Sequence, residues 1–422
     1  MSSHFNTGER PTVFYGWFVV AAAFAITFIG FGSAYTFSAF ADSLQSEFDA
    51  SRGSTSVVFS LAGFLYFGFG IVSGRLADRW GSRRLALVGM LLLGGGLMTA
   101  SLAQSLTQVY VAYGLGMGLG VGCSYVPVVG AVQRWFARRR GLASGLAVSG
   151  IGVGTLVMPV LAAGLIAWLG WRGAYAVLGG VAIIVGCGMA LLIENDPAGR
   201  GLLPDGDAAD GGAPLARAAG MSVREAMRSR QFAALYAACL ACSCGVFVPF
   251  VHLVPFAMDH GVKASSAVLL LGAVGIGSTA GRFLLGGLMD RMGRDRALCA
   301  TFLGMAFALG IWALSTQLWS LAFFALVFGL FYGGWVAVLP AVVMDRFGGR
   351  HVSGIIGALY TSVAFGTLIG PSVAGFIFDH SRSYMVPILA SIAANLLAAG
   401  IAWAVPHRTT DARTTPSSKD AA

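Results

Sequence analysis

One arginine, Arg282, interrupts an apolar, glycine-rich stretch that runs from Val274 to Gly293. Its guanidinium group stays charged at every physiological pH and presents five N–H donors in a planar fork, which matches the geometry of a carboxylate. Ser278 lies four residues earlier and would therefore share the same face of a helix. Because the nearest acid of the stretch, Asp290, follows only in a charged turn, the natural partner of Arg282 is an anion from outside the chain.

The composition of the chain shows what surrounds this arginine. Of 422 residues, 57% are hydrophobic and only 11% are charged, whereas soluble domains carry about 25% charged residues. Apolar runs of about 20 residues recur along the chain, and each can cross a hydrocarbon core about 30 Å thick. We therefore predict an all-α integral membrane protein with twelve transmembrane helices. The lipid bilayer is one of its predicted partners.

Arg282 would then lie deep in the membrane. Eight residues separate it from Asp290, which places it about 12 Å from the membrane surface on a helix. An arginine at that depth costs about 2.5–3.5 kcal/mol to insert, so it should face an aqueous cavity or a partner. No acid lies at a comparable depth in the other predicted spans. Satisfaction of the guanidinium by backbone carbonyls remains the alternative.

The positions of the basic residues predict the orientation of the chain. With the N-terminus in the cytoplasm, the cytoplasmic segments hold 22 of the 27 lysines and arginines, and the outer loops hold four. The positive-inside rule therefore places both termini in the cytoplasm. The net charge of +9 follows from this topology, and it does not indicate a nucleic-acid partner.

A long connection divides the chain near its middle. Residues 1–194 are predicted to form an N-terminal six-helix bundle, and residues 231–405 a C-terminal one. Between them, residues 195–230 form a cytoplasmic linker that is rich in Gly, Pro and Asp and ends in a short amphipathic helix. Residues 406–422 are predicted to be a disordered cytoplasmic tail.

The two bundles repeat each other at an offset of 212 residues. The clearest repeat is a charged turn whose conspicuous residues in the first bundle are Gly74, Asp78, Arg79, Gly81 and Arg84. Their counterparts in the second bundle are Gly286, Asp290, Arg291, Gly293 and Arg296. The same offset carries Arg134 onto Arg346. Internal repeats of this kind build many secondary transporters, whose substrate sites lie between the repeats.

The charged turn resembles the signature loop of the major facilitator superfamily. Asp78 can cap a neighbouring helix or pair with an arginine, and Gly81 permits the tight turn. Such a cluster can act as a latch that opens when the two bundles rock. The residues expected to control this movement are Gly74, Asp78, Arg79, Gly81, Arg84, Asp290, Arg291, Arg134 and Arg139.

Two further stretches resemble the monocarboxylate transporter family and its oxalate/formate antiporter relatives. The first is Tyr15-Gly-Trp17 near the start, and the second runs from Arg134-Trp-Phe136 to Ala143-x-Gly-x-Ala147. The resemblance implies secondary transport of a small monocarboxylate, similar to lactate, pyruvate or formate, by alternating access with a proton. It also implies that Arg282, which matches the arginine of helix 8 in this family, binds the carboxylate.

Two positions depart from the animal members of that family. Ser278 stands where they have an aspartate linked to proton coupling, and Tyr35 stands where they have a lysine. Both remain candidates for substrate binding, but the animal proton relay cannot be transferred directly. The family resemblance also makes His252 a candidate for substrate binding in the cavity, and His252 and Asp259 are the remaining candidates for carrying a proton. The alternatives are an ordinary interfacial histidine and a loop acid.

Aromatic residues complete the predicted site. Tyr125 in predicted span 4 (residues 108–134), and Tyr332 and Trp335 at helical spacing in predicted span 10 (residues 318–344), could shape a small pocket around the carboxylate. Packing alone would also explain an aromatic stripe of this kind.

The same residues bear on other possible functions. An organic-anion antiporter or a drug or metabolite exporter is the alternative within transport, although span 4 lacks an arginine ahead of its glycines. The sequence has no metal-ligand cluster and no nucleophile–base pair, so we expect neither an enzyme nor a cofactor or metal site. We expect a monomer that crosses the cell membrane many times, in a bacterial inner membrane.

Overall fold

A computed structural model describes residues 14–136, 139–206, 220–348 and 351–404. Within these ranges the chain is helical and has no β-strand, in agreement with the predicted all-α class. The middle of the predicted flexible linker and the predicted tail, residues 406–422, lie outside the described residues. The end of the linker contains a short helix, Val223–Arg228, whose first turn is capped by Ser222 and Glu225.

The described residues form seventeen α-helices. In chain order they are α1 (Gly16–Tyr35), α2 (Phe37–Phe48), α3 (Arg52–Gly68), α4 (Gly70–Trp80), α5 (Ser82–Ser101), α6 (Leu106–Val109), α7 (Gly116–Trp135), α8 (Arg140–Val181), α9 (Cys187–Leu191), α10 (Val223–Arg228), α11 (Arg230–Val246), α12 (Val248–Asp259), α13 (Ala264–Met292), α14 (Arg294–Leu314), α15 (Leu318–Phe347), α16 (Val352–Ser381) and α17 (Met385–Ala404). Two single turns of π-helix, Tyr110–Leu115 and Ala182–Gly186, continue α6 into α7 and α8 into α9.

Twelve membrane spans account for these helices. Numbered along the chain, they are α1–α2, α3–α4, α5, α6–α7, the two parts of α8–α9, α11–α12, α13, α14, α15, α16 and α17. Ten of the described helical segments are long and apolar enough to cross a membrane, and the bent pair Arg52–Gly68 and Gly70–Ala77 adds an eleventh. One of the ten, Leu142–Leu191, has 50 residues, about twice the length of a single span. It turns at Gly170, whose φ is 71°, and therefore supplies spans 5 and 6.

Three spans are broken near their middle. Span 1 breaks at Thr36, whose hydroxyl donates to the carbonyl oxygen of Gly32 at 2.6 Å. Span 2 bends by 40° at Phe69. Span 7 breaks at Phe247, and Pro249 then stands in the first turn of α12, where a missing N–H leaves no hydrogen bond unmade.

Two pairs of spans join the first half of the chain to the second. We call residues 14–194 the N-terminal half and residues 230–404 the C-terminal half. Span 5 packs against span 8 so closely that a Cβ at Gly152 would lie 2.1 Å from Oγ1 of Thr279. Span 2 packs against span 11, where a Cβ at Gly375 would lie 2.7 Å from Cα of Gly53. The close packing of the two halves therefore requires glycine at positions 152 and 375.

The 212-residue repeat is also visible in the backbone. Gly81 joins α4 to α5 with φ 87° and ψ 146°, and its counterpart Gly293 joins α13 to α14 with φ 85° and ψ 141°. Both conformations lie at positive φ, which glycine adopts without steric cost. We call the end of the molecule that carries these two turns the basic end, and the other end the opposite end.

Candidate functional site

A cavity lies between the two halves, about midway along the spans. Its volume is about 30 Å³, which is room for about two water molecules. A carboxylate ligand would therefore require the walls to move apart. The N-terminal half contributes five lining residues and the C-terminal half contributes seven, namely Phe31, Tyr35, Phe67, Tyr125 and Ile151, and then Arg282, Tyr332, Trp335, Val336, Leu339, Tyr360 and Val363.

Arg282 supplies the positive charge of this cavity. Its Nη1 makes one long contact of 3.4 Å to the carbonyl oxygen of Val148, in span 5 of the other half. Its Nε and Nη2 are buried and have no hydrogen-bond partner among the described residues. No described carboxylate lies within ion-pair distance of it. A buried cation with unused donors is costly, and an anionic ligand would remove that cost.

Two tyrosines meet across the interface beside Arg282. The hydroxyls of Tyr35 in α1 and Tyr332 in α15 lie 2.9 Å apart and form a hydrogen bond. Phe250 of α12 stacks on Tyr35 with ring centroids 4.5 Å apart, and its centroid lies 5.2 Å from that of Tyr332. Phe250 lies in the first turn of α12, which leads from this aromatic group towards the opposite end.

Trp335 and Tyr125 line the cavity as the sequence predicted. Trp335 is 3% exposed, and its indole Nε1 has no hydrogen-bond partner among the described residues. Tyr125 packs edge-on against Phe31 with ring centroids 5.0 Å apart. The indole N–H can only donate a hydrogen bond, so it is a second unused donor beside Arg282.

Ser278 does not line this cavity, although it shares a helix with Arg282. Its backbone packs against span 10, where a Cβ at Gly333 would lie 2.0 Å from the carbonyl oxygen of Ser278. Its hydroxyl oxygen is buried and has no partner in the described part of the chain.

His252 and Asp259 lie apart from the cavity, nearer the opposite end. The Nε2 of His252 lies 2.9 Å from the carbonyl oxygen of Pro371, and its Nδ1 lies 3.1 Å from the hydroxyl of Tyr384. A carbonyl oxygen can only accept, so Nε2 carries a proton and donates to Pro371. The hydroxyl of Tyr384 lies within hydrogen-bond distance of Nδ1.

An ion pair between the halves lies next to this histidine. Arg52 of the N-terminal half contacts both carboxylate oxygens of Asp259 in the C-terminal half, at 2.5 and 2.6 Å. The same guanidinium group donates to the hydroxyl oxygen of Tyr384 at 2.9 Å. Asp259, Arg52, Tyr384 and His252 thus form one continuous hydrogen-bonded chain at the opposite end.

The basic end carries a second polar cluster, built around the Gly81 turn. The side-chain oxygen of Asn195 accepts from the backbone N–H of Ser82 at 2.5 Å, and Arg134 donates to the carbonyl oxygen of Asn195 at 2.7 Å. Glu194 accepts from Arg200 at 2.8 Å. The hydrogen bond from Arg200 lowers the pKa of Glu194, so Glu194 stays ionised at neutral pH.

The C-terminal half has a corresponding cluster. Arg346, the counterpart of Arg134, donates to Asp295 at 2.8 Å, and Arg294 pairs with Asp345. Each of these contacts joins residues of one half. Of the other residues expected to control movement, Gly74 packs near Val126, and Arg79, Arg84 and Arg139 are exposed. The side chains of Asp78, Asp290 and Arg291 lie outside the described part of the structure.

The comparison with known proteins agrees with this architecture. The family model of the Major Facilitator Superfamily matches residues 22–306 and 233–421, which together include nearly the whole chain. The chain belongs to the major facilitator superfamily. It is therefore a multi-pass membrane transporter and not an enzyme.

Within this superfamily the chain is related to monocarboxylate transporters. It is 30% identical over 387 residues to monocarboxylate transporter 11 of Homo sapiens, covering 89% of this chain and 80% of the relative. It is 29% identical over 394 residues to monocarboxylate transporter 12-B of Danio rerio, covering 88% and 82%. The family resemblance of the two sequence stretches is thereby confirmed.

A solved structure shows the same fold. A bacterial homologue of the human lysosomal transporter Spinster, in an inward-facing and occupied conformation, has a TM-score of 0.72 and 16% sequence identity. The alignment covers 94% of this chain and 97% of that one. At this identity the likeness concerns the transporter fold alone.

Sequence reasoning did not assign several residues to the site, and two of them are close to Arg282 or carry a polar side chain. Tyr360 of span 11 lines the cavity, and it occupies the position 212 residues after Val148, the residue whose carbonyl faces Arg282. The repeat could therefore have pointed to it. Gly152 lies against Arg282, where a Cβ would stand 3.2 Å from Nη1. No local pattern distinguishes it from the other glycines of span 5.

Proposed function

We propose that this transporter moves a small organic monocarboxylate, and that Arg282 holds the carboxylate. The observation that supports this proposal is the pair of unused donors, Nε and Nη2, on a buried guanidinium group that faces a cavity between the halves. Two parallel N–H donors match the two oxygens of a carboxylate, and such paired hydrogen bonds are roughly twice as strong as neutral ones.

The rest of the cavity favours a ligand with one negative charge. Arg282 is the one charged side chain among its described lining residues, and the others are aromatic or aliphatic. A dianion such as oxalate would leave its second carboxylate without a cation, at a substantial desolvation cost. The indole N–H of Trp335 can donate to a hydroxyl or carbonyl oxygen of the substrate body. Phe31 and Phe67 can cover its apolar part.

The transport cycle follows from the position of the cavity. A site between two repeated halves can open to either side as the halves rock. The basic end is proposed to face the cytoplasm, because of the excess of arginines there. We also propose that the domain boundaries are those predicted from the sequence. The transporter is proposed to be a monomer in a bacterial inner membrane.

Proton coupling is proposed to involve Asp259, with His252 as its neighbour. Arg52 contacts both oxygens of the Asp259 carboxylate across the interface. Opening of the opposite end would separate this pair and leave the carboxylate accessible to water. Protonation would then weaken its attraction to Arg52 and favour the open state. Ser278 and Tyr35 are less suited, because neither side chain is charged at neutral pH.

The test is uptake by the purified transporter in proteoliposomes. We expect labelled lactate or pyruvate to accumulate when the outside is acidic, and oxalate and cationic drugs not to accumulate. Loss of this accumulation on addition of a proton ionophore indicates symport. Uptake that requires an anion loaded inside, without a pH gradient, would instead establish an antiporter. Transport of hydrophobic cations with no carboxylate uptake would overturn the proposal in favour of an exporter.

A further inference from the structure

The first turn of span 2 receives its cap from both halves of the molecule. Backbone N–H groups at the start of a helix have no partner within the helix. In α3, the N–H of Ser54 donates to the hydroxyl of Ser51, which precedes the helix in the same half, at 3.1 Å. The N–H groups of Arg52 and Gly53 instead donate to the two carboxylate oxygens of Asp379, at 3.0 and 2.8 Å. Asp379 belongs to α16, in the C-terminal half.

This contact depends on a very close approach of spans 2 and 11. A Cβ at Gly53 would lie 2.3 Å from a ring carbon of Phe376 and 2.7 Å from Oδ2 of Asp379. The guanidinium carbon of Arg52 lies 4.2 Å from the ring centroid of Phe378. The helix start therefore fits into a recess of span 11, with the carboxylate at its base.

We infer that Asp379 is a latch that holds the opposite end of the transporter closed. A carboxylate at a helix N-terminus gains from both hydrogen bonds and the helix dipole. Both gains require the two halves to touch, so they exist in the closed state and are replaced by hydration when spans 2 and 11 separate. The contact is made to backbone N–H groups, and it is therefore distinct from the side-chain pair of Arg52 with Asp259.

Ser60 offers a position from which opening can be measured. It is fully buried in α3, and its hydroxyl has no partner among the described residues. It lies seven residues beyond Gly53 and three before Gly63, on the face of α3 where both glycines contact span 11. Ser60→Cys replaces this hydroxyl with a thiol of similar size. The thiol can react with a water-soluble methanethiosulfonate reagent only when the interface between spans 2 and 11 opens.

The experiment compares the labelling rate of Ser60→Cys in purified protein with and without Asp379→Ala. We expect Asp379→Ala to raise the rate roughly tenfold, since hydrogen bonds to a charged group are lost from the closed state only. Asp379→Asn should give a smaller increase, because an amide oxygen can still cap a helix. Protein with Ser60 intact measures the background from the six native cysteines.

The matched control is Glu47→Ala. Glu47 pairs with Arg172 at 2.8 Å, near the same end but within one half. It should leave the labelling rate unchanged. An unchanged rate in Asp379→Ala, or an equal increase in Glu47→Ala, would overturn the inference. If Asp379→Ala does not fold, an unchanged rate in Asp379→Asn would overturn it instead. The labelling rate is measured without a carboxylate substrate. Its result therefore tests the role of Asp379 independently of the proposed substrate.

Discussion

The hydroxyls of Tyr35 and Tyr332 lie 2.9 Å apart and join the two halves of the transporter beside Arg282. Both tyrosines are buried, at 1% and 4% exposure. Phe250 covers the pair on the side of the opposite end. We expect a substrate that enters from that end to break this hydrogen bond before it reaches the guanidinium group.

Loss of one hydroxyl should leave the other buried without a partner. We expect Tyr35→Phe and Tyr332→Phe each to lower the stability of the closed transporter by about 1–2 kcal/mol. The double variant should lose less than the sum, because it leaves no unpaired hydroxyl. Thermal unfolding of the purified proteins measures the stability of all three variants.

Tyr175→Phe is the control, since the buried hydroxyl of Tyr175 has no described partner, and its removal should leave the stability unchanged or raise it. Strict additivity of the two losses would argue against the hydrogen bond.

The indole N–H of Trp335 should contribute to substrate binding. We expect Trp335→Phe to keep the aromatic wall and to weaken carboxylate affinity roughly tenfold, which corresponds to about 1.4 kcal/mol. Trp312 provides the comparison, because its Nε1 is also buried without a described partner but it does not line the cavity. Trp312→Phe should bind as the unmodified protein does. Equal effects of the two substitutions on affinity would show that Trp335 acts only through packing.

Gly152 should matter because it lets Arg282 and Thr279 approach span 5. A Cβ there would lie 2.1 Å from Oγ1 of Thr279, so Gly152→Ala should cost about 1–3 kcal/mol of stability through overpacking. It should also raise the KM for transport by displacing Arg282. Gly164 is in the same helix and has open space around it. Gly164→Ala should therefore leave KM unchanged and stabilise the helix by about 0.5–1 kcal/mol. A normal KM in Gly152→Ala would contradict this role.

Much of this fold could be predicted from the sequence, because its main determinants are local. Each span is an apolar run, and the Gly81 turn and its repeat at Gly293 need a backbone conformation that glycine favours. Arg282 was predictable for a similar reason, since a lone charge in an apolar helix is costly wherever the helix packs.

The neighbours of Arg282 were harder to predict, because they depend on how helices pack. Ser278 shares the face of Arg282 in sequence spacing, yet close contact with the glycines of span 10 removes it from the cavity. Gly152, Tyr360 and the carbonyl of Val148 reach the site from spans 5 and 11. Asp379 looks like an ordinary acid at a helix end, and only the position of span 2 makes it a cap.

Binding of a carboxylate by Arg282 can be measured directly as ligand-induced thermal stabilisation. Pyruvate and lactate should stabilise the unmodified transporter, and their neutral amides should not. Arg282→Lys keeps the charge but loses the paired hydrogen bonds, so it should bind about 10- to 100-fold more weakly. Arg282→Gln should show no stabilisation by any of these compounds. Arg172→Gln, which removes a half-buried arginine that does not line the cavity, should respond as the unmodified protein does. Undiminished stabilisation of Arg282→Gln by pyruvate or lactate would contradict the assignment of Arg282 as the carboxylate site.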